Sequence, residues 1–230
     1  MVIRSMSRPM FEAIRGPCHG PSVPSMQIQR SGIFASLVRP GTIVCMGSRE
    51  PFADYDPSPI RRQRIDIVTR PAAPHDIGAC ATLAVRRDGG ETERWRSRFA
   101  ACLESDGCAL FVAVVGGEVV AYGRLERLEP APVDGIAAAP AGWYLAGIVV
   151  DPRWRRRGIA AALTEARLDW AWQRTDEVWY FANARNRVTL DLHDRFGFVE
   201  VTRDFAIPGV TFDNGHGTGI LFRCRRPHPR

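Results

Sequence analysis

The sequence contains no lysine, since all 31 of its basic residues are arginine. This absence excludes a lysine Schiff base to pyridoxal phosphate or to a carbonyl substrate. It also excludes the phosphate-binding loop that ends in Gly-Lys-Ser or Gly-Lys-Thr, and a kinase-type catalytic lysine. A preference for arginine along the whole chain is typical of biased codon usage, so the net charge of +6 is weak evidence for a nucleic-acid partner. We do not expect nucleic acid as a partner.

Metal-binding cysteine patterns are also missing. The six cysteines form no Cys-x-x-Cys pair and have no regular spacing, which argues against a zinc ribbon and against a disulfide framework. We expect reduced thiols, a cytoplasmic protein and no metal site. The best apolar run before residue 60, residues 33–46, is too short and too polar to span a bilayer. No membrane partner is therefore expected.

Residues 1–60 show no sustained helical or strand periodicity, because prolines with interspersed glycine and serine break each short apolar run. The segment up to Ser48 is rich in arginine and has one acidic residue, Glu12, so it vaguely resembles a transit peptide. The simpler interpretation is a disordered extension over residues 1–60. We therefore expect the function to lie in one domain over residues 61–230.

Regular patterns extend from about residue 64 to residue 224. Their order predicts a strand, two helices, three strands, a helix, a strand, a helix and two strands, which is an α/β (α+β) domain with a mixed sheet and helices on both faces. The long helix is predicted over residues 158–174, with Ile159, Leu163 and Trp170 on its inner side. The other elements are predicted over residues 65–69, 74–87, 92–103, 109–115, 119–125, 144–150, 178–182, 187–195, 198–205 and 220–223.

The most informative stretch is residues 144–160, where an apolar strand leads through an arginine-rich turn directly into the long helix. The unpaired N–H groups of a helix's first turn converge on one point and favour an anion there. Gly158 lets a phosphate approach the backbone, and Ala160 leaves room beside it. The neighbouring guanidinium groups add charge-assisted hydrogen bonds. The stretch therefore predicts a diphosphate site.

At these residues the sequence resembles the GNAT acyltransferase superfamily, whose motif is Gln or Arg, any two residues, Gly, any residue, and Gly or Ala. Arg155, Gly158 and Ala160 match the motif, and the resemblance covers residues 64–224, including Asn186 ahead of Gly197-Phe198. It implies a mixed, mostly antiparallel central sheet and acetyl-CoA as the acyl donor. The residues that it assigns to cofactor binding are Ile148, Val149, Val150, Arg155, Arg156, Arg157, Gly158, Ile159, Ala160 and Asn186.

The resemblance also implies that residues 148–150 lie on a strand that a bulge splays from its neighbour. Pantetheine would then pair with the freed backbone groups as an added strand does. One N–H group, that of Val149 or Ile148, would point at the thioester carbonyl and stabilise the oxyanion. The alternative is an ordinary core strand, and the two are compatible because the function uses backbone atoms.

Two side chains of the next helix are further candidates. Asn186 starts that helix, where it can cap first-turn N–H groups, contact the cofactor, or do both. Seven residues later the family has a tyrosine that protonates the departing thiolate, and this chain has His193. An imidazole with an unperturbed pKa of about 6.5 can donate a proton near neutral pH. His193 is therefore a candidate acid, and a packing or hydrogen-bonding residue is the alternative.

The activity that the resemblance implies is transfer of an acetyl group to an amine of a small molecule or peptide by direct attack, without a covalent enzyme intermediate. An amine with a pKa of about 10 is mostly protonated at pH 7, so a base assists. Glu126, at the end of the strand before the cofactor strand, is the candidate base. Since histidine replaces tyrosine, a non-catalytic acyl-CoA-binding regulatory module is the alternative function. Nucleic-acid binding through the arginines is a third.

Overall fold

The structure is a computed structural model, which describes residues 65–212 and 218–227. The extension expected over residues 1–60 lies outside these residues. The strands are β1 (Val68–Pro71), β2 (Cys108–Val115), β3 (Glu118–Leu128), β4 (Gly142–Val150), β5 (Glu177–Asn183), β6 (Val199–Thr202) and β7 (Gly219–Arg225). The helices are α1 (Ile77–Asp88), α2 (Thr92–Leu103), α3 (Ile159–Ala171) and α4 (Arg187–Asp194).

All of these strands form one sheet in the order β1-β2-β3-β4-β5-β7-β6. Neighbouring strands are antiparallel except β4 and β5, which are parallel. The prediction of a mixed, mostly antiparallel sheet is therefore confirmed. Parallel strands need a crossover connection, and α3 lies on the crossover that leads from β4 to β5.

Helices cover both faces of the sheet, as predicted. On one face, Phe99 of α2 packs edge-on against Tyr122 of β3, with ring centroids 5.0 Å apart. On the other face, Leu163 of α3 packs in the same core cluster as Leu125 of β3. Helix α4 lies on the α3 face, because Leu190 packs against that cluster too. Each face of the sheet therefore has its own apolar core.

The inner face of α3 holds more residues than predicted. Ile159 and Leu163 are buried as expected, and Trp170, which is half-buried, packs against the same core cluster, with the Arg174 guanidinium 3.7 Å from its ring centroid. The structure also buries Thr164 and Arg167. Hydrophobic periodicity could not show this, because it counts arginine and threonine as polar positions. The helix also ends at Ala171, three residues before the predicted end.

Cys102 at the end of α2 and Cys108 at the start of β2 form a disulfide, with Cα atoms 5.1 Å apart. The prediction of reduced thiols is therefore wrong for these two residues. Spacing along the chain could not reveal the pair, because the pairing depends on the tight return of the chain between α2 and β2. Cys80 and Cys224 are free and buried, and the other two cysteines lie outside the described residues.

None of the helices in the described part of the chain is both long enough and apolar enough to cross a membrane. Over residues 65–212 and 218–227, no three His, Cys, Asp or Glu side chains are grouped so that they could hold a metal ion.

Reduction of the Cys102–Cys108 disulfide should lower the free energy of unfolding by about 2 kcal/mol, because even a short closed loop restricts the unfolded chain. Urea unfolding of one preparation with and without a reductant measures this difference. The double variant Cys102→Ser/Cys108→Ser is the control, and its midpoint should not respond to the reductant. A wild-type midpoint that is equal in both conditions would contradict the prediction.

Candidate active site

The strands β4 and β5 separate shortly after they begin to pair. Their parallel register covers only Trp143 with Val178 and Tyr144 with Trp179, whereas β3 stays paired with β4 as far as Val150. Backbone groups of residues 145–150 that face β5 therefore have no strand partner. A cleft opens between β4 and β5, and α3 begins at the end of β4 that borders it.

A bulge lies in the separated part of β4. Gly123 of β3 is opposite Ile148, but the next residue, Arg124, is opposite Ala146, so Gly147 is the extra residue. Gly147 has a φ of +63°, a conformation that glycine adopts at little cost. Because a bulge re-aims the backbone that follows it, Gly147 sets the direction of the N–H groups of residues 148 and 149. A glycine inside a strand pattern is a known sign of a bulge, and sequence reasoning passed over it.

The guanidinium of Arg167 lies against this bulge from the α3 side. Its Nη1 donates to the carbonyl oxygen of Arg124 at 3.1 Å and lies 3.5 Å from that of Gly147. Its Nε donates to Leu163 O, and its Nη2 lies 3.1 Å from Thr164 Oγ1. Burial lowers the pKa of Arg167 to about 9, so the group keeps its charge at pH 7. The sequence analysis did not single out this residue.

The turn after β4 is anchored by Asp151, which is buried. Its backbone N–H donates to Val120 O, and its carboxylate accepts from the backbone N–H and the guanidinium of Arg153 and from Arg86 of α1. The hydrogen bonds from Arg153 hold the pKa of Asp151 well below its usual range. Asp151 therefore stabilises the turn at neutral pH, and that contribution is lost as the pH falls through the lowered pKa.

The turn then enters α3 through two residues with left-handed backbone, Arg156 with φ +63° and Gly158 with φ +84°. Gly158 is the N-cap, and the first intrahelical bond runs from Ala162 N to Gly158 O. The N–H groups of residues 159–161 thus have no partner within the helix. A Cβ placed on Gly158 would meet no heavy atom within 4 Å. The backbone of the first turn is therefore open to a ligand.

The other arginines of the turn are distributed around this opening. The Nε of Arg155 donates to Val150 O at 3.4 Å, and Arg157 lies over the ring of Trp154, with its Cζ 4.9 Å from the centroid. Arg155 is exposed and Arg157 is half-buried. The structure thus brings together the predicted strand segment, the arginine turn and the start of α3.

Asn186 is the N-cap of α4, and its Oδ1 accepts from Thr189 N at 3.3 Å. The capping role predicted for it is therefore present.

His193 lies about two turns further along α4 and is 3% exposed. Its ring stacks on Tyr180 with centroids 4.1 Å apart, and its Nδ1 lies 2.8 Å from Thr189 O. Because a carbonyl oxygen only accepts, Nδ1 carries the proton and Nε2 is an acceptor. Nε2 has no hydrogen-bond partner among the described residues. Burial, with a smaller effect of the Arg167 charge, lowers the pKa of His193 to about 3, from the ordinary imidazole value of 6.5.

Glu126 is buried on the opposite face of the sheet, which α2 covers. Its Oε1 accepts from the Arg124 guanidinium and lies 3.8 Å from Nη2 of Arg98, which belongs to α2. Its Oε2 has no partner in the described part of the chain. The structure therefore separates the two predicted acid–base residues, with Glu126 on the α2 face and His193 on the α3 face.

Comparisons with known proteins agree with this architecture. The chain is similar to yncA of Salmonella typhimurium, solved with its cofactor acetyl-CoA, with 16% identity and a TM-score of 0.54 over 71% of this chain and 95% of that one. The ribosomal-protein-S18-alanine N-acetyltransferase from Escherichia coli gives 19% identity and a TM-score of 0.52, over 72% and 97% of the two chains. AAC(6')-Iy, in complex with the bisubstrate analogue CoA-S-monomethyl-acetylneamine, gives 21% identity and a TM-score of 0.53, over 66% of this chain and 99% of that one.

These identities are low and establish the fold alone. No curated protein sequence matches the chain significantly. A family model, described as the acetyltransferase (GNAT) family, matches residues 77–198. That range is more than half of the 230 residues and includes β4, α3 and α4. The chain therefore belongs to the GNAT acetyltransferase family.

Proposed function

We propose that this chain is an acetyl-CoA-dependent N-acetyltransferase that moves the acetyl group to an amine of a small molecule or peptide by direct attack. The observation that carries the proposal is the position of the bulged, unpaired part of β4 immediately before the open first turn of α3. Membership of the GNAT family supports it. So do fold neighbours whose structures contain acetyl-CoA or a CoA-linked bisubstrate analogue.

The first turn of α3 suits the diphosphate of the donor. The N–H groups of Gly158, Ile159 and Ala160 supply hydrogen bonds to an anion, and the helix dipole favours negative charge there. Arg155, Arg156 and Arg157 add positive charge, and the bond of Arg155 to Val150 O is long enough, at 3.4 Å, to be exchanged for one to a phosphate. Asn186, whose side chain caps α4, is the remaining residue that we assign to the cofactor.

The separated part of β4 suits the pantetheine arm. Backbone groups of Ile148, Val149 and Val150 that face the cleft lack a strand partner, so an extended ligand can pair with them. Acetyl-CoA supplies an activated acetyl group, whose carbonyl carbon the amine attacks as the bond to sulfur breaks. The N–H of Val149 or Ile148, aimed by the bulge, stabilises the negative charge that develops on the carbonyl oxygen.

For His193 we propose the packing and hydrogen-bonding role. A donor to the leaving sulfur would need a proton on Nε2, but in this structure the proton is on Nδ1 and its bond to Thr189 O keeps it there. The lowered pKa makes the doubly protonated ring rare at pH 7. His193 is then a neutral acceptor at the end of a stack formed with Tyr180.

Glu126 stays our candidate base, through the free oxygen Oε2. The other oxygen, Oε1, accepts from Arg124 and lies near Arg98, so Oε2 is the oxygen left to accept the proton of the amine. A cytoplasmic location also stays a prediction.

The second candidate function is a non-catalytic module that binds acyl-CoA. It is favoured by one specific observation, the neutral, buried histidine at the position where the family has an acidic hydroxyl. Both functions use the same cleft, and only turnover separates them.

Incubation of the full chain with acetyl-CoA and a panel of small amines and amino-terminal peptides should release CoA thiol with at least one acceptor. Thiol release followed with a chromogenic disulfide, and mass spectrometry of the acetylated amine, measure this. Tight CoA binding without turnover on any acceptor would favour the regulatory module, and absence of CoA binding would refute both functions.

Gly158→Glu should weaken CoA binding by about 100-fold, because two lost hydrogen bonds to a charged group, at about 1.5 kcal/mol each, amount to about 3 kcal/mol. The new carboxylate would also repel the diphosphate. Calorimetric titration with CoA measures the change. Gly197→Glu is the matched control, because Gly197 also has a positive φ, +77°, and open surroundings. Equal affinities of the two variants would refute the assigned cradle.

His193→Phe should leave turnover within about threefold of the wild type, whereas loss of a general acid costs about 100-fold or more.

The free energy of unfolding of the same variant should be less sensitive to acid. The folded-state pKa of about 3 lies below the ordinary value of 6.5, so the unfolded chain binds the proton first and wild-type stability falls as the pH drops from 6.5 towards 3.

Between pH 6.5 and pH 4.5 this effect amounts to about 2–3 kcal/mol in the wild type and is absent from His193→Phe. The window lies above the ordinary pKa of Asp151, 3.8, so that carboxylate does not contribute. Urea unfolding at several pH values measures both slopes, and above pH 7 the two proteins should respond to pH alike. Parallel slopes below pH 6.5 would show that His193 is not a buried neutral group.

A further inference from the structure

Arg167 carries a positive charge into the interior of the domain without a carboxylate beside it. It is 1% exposed, and its hydrogen bonds among the described residues go to carbonyl oxygens and one hydroxyl. Buried arginines are normally paired with an acid, and replacing a buried charge with an apolar side chain is often neutral or stabilising. Stability alone therefore does not account for Arg167.

The position of the guanidinium indicates what it does. Its Nη1 reaches one carbonyl on each of the two strands at the register shift, Arg124 O on β3 at 3.1 Å and Gly147 O on β4 at 3.5 Å. An extra residue in a bulge disrupts the ladder of hydrogen bonds and leaves backbone groups unpaired. A buried carbonyl without a partner is costly. Arg167 supplies a donor to a carbonyl of each strand at the irregular step.

Gly123 makes room for this arrangement. A Cβ at Gly123 would lie 3.0 Å from both Cζ and Nε of Arg167, closer than ordinary van der Waals contact, so the guanidinium would have to shift. Gly123 is also the last regular partner before the shift, opposite Ile148. The absence of a side chain on β3 and the long side chain from α3 thus complement each other at the bulge.

We propose that Arg167 is a positioning residue that clamps the β4 bulge at Gly147 and so fixes the direction of the N–H groups of residues 148 and 149, one of which faces the cleft. The clamp itself rests on the hydrogen bonds above. Its consequence for catalysis rests on the proposed acetyl transfer, in which one of those N–H groups stabilises charge on the acyl oxygen. Arg167 is not proposed to contact the substrates. It acts by holding the backbone of the bulge.

The test compares Arg167→Met, which has a similar length and no donors, with Arg167→Lys, which keeps the charge and a single donor group. The first readout needs no substrate: amide NMR shifts and hydrogen exchange of Gly147, Ile148 and Val149 in the free protein. Exchange at these amides should become at least about tenfold faster in Arg167→Met. The shifts of Arg167→Lys should lie between those of Arg167→Met and the wild type.

The second readout is the split between kcat and CoA affinity. Displacement of an oxyanion donor costs about 100-fold in rate, so kcat of Arg167→Met should fall by about that factor, while the affinity for CoA changes by less than about tenfold because the α3 cradle is intact. Arg167→Lys should recover part of kcat.

Leu168→Ala is the matched control, because Leu168 is buried on the same helix and contacts the core without bonding to either carbonyl. It should lower stability and leave kcat and the three amides unchanged at temperatures where it is folded. The proposal would be overturned if Arg167→Met had the amide shifts, exchange rates and kcat of the wild type. It would also be overturned by an equal loss of kcat in Leu168→Ala.

If Arg167→Met does not fold, Arg167→Lys is the variant that tests the proposal. Amide shifts, exchange rates and a kcat equal to those of the wild type in Arg167→Lys would overturn the clamp. If the wild-type protein turns over no amine, the proposed function has failed, and the amide measurements alone still decide whether Arg167 holds the bulge.

Discussion

The separation of β4 from β5 after Tyr144 is the constraint on which the site depends. A strand that leaves its neighbour must find other partners for its backbone, because buried polar groups that lose water need hydrogen bonds. Three carbonyls of this segment are bonded by arginine side chains: Gly147 O is near Arg167, Ile148 O accepts from Arg87, and Val150 O accepts from Arg155. Arginine side chains from α1, α3 and the turn thus support a segment that the sheet holds along one edge only.

This support explains why the site can be both open and fixed. The turn after β4 is locked by the buried carboxylate of Asp151, which ties Arg153 of the turn and Arg86 of α1 together. The first turn of α3 that follows it stays free of contacts on the side of Gly158. Rigid neighbours around an exposed backbone are what an anion site requires, because the donors are then already in place before the ligand arrives.

Sequence reasoning predicted the local geometry that depends on neighbours along the chain. The apolar strand, the arginine turn and Gly158 are adjacent in sequence, so the order of strand, turn and helix was sufficient to predict an open helix start at Gly158. The other parts depend on residues far apart. The pKa of His193 is set by burial against Tyr180 and Phe198, and the Cys102–Cys108 pair depends on how α2 returns into β2.

Arg167 was missed for a different reason: a periodicity argument assigns an arginine to the solvent side of a helix. It is buried because two carbonyls at a distant register shift accept its hydrogen bonds, and nothing within α3 indicates that shift. Gly147 and Gly123 were the local signs of it, but a glycine in a strand does not say which side chain fills the space beside it.

The two buried side chains Arg167 and His193, both on the α3 face, interact electrostatically. The charge of Arg167 lowers the pKa of His193, because a second positive charge in a medium of low dielectric constant is disfavoured. A site arranged in this way is poorly suited to deliver a proton from the imidazole. A thiolate is a good leaving group without prior protonation, since a thiol has an ordinary pKa of about 8.5. In the proposed reaction, the thiolate therefore leaves without a proton from His193, and Arg167 acts through the backbone of the bulge.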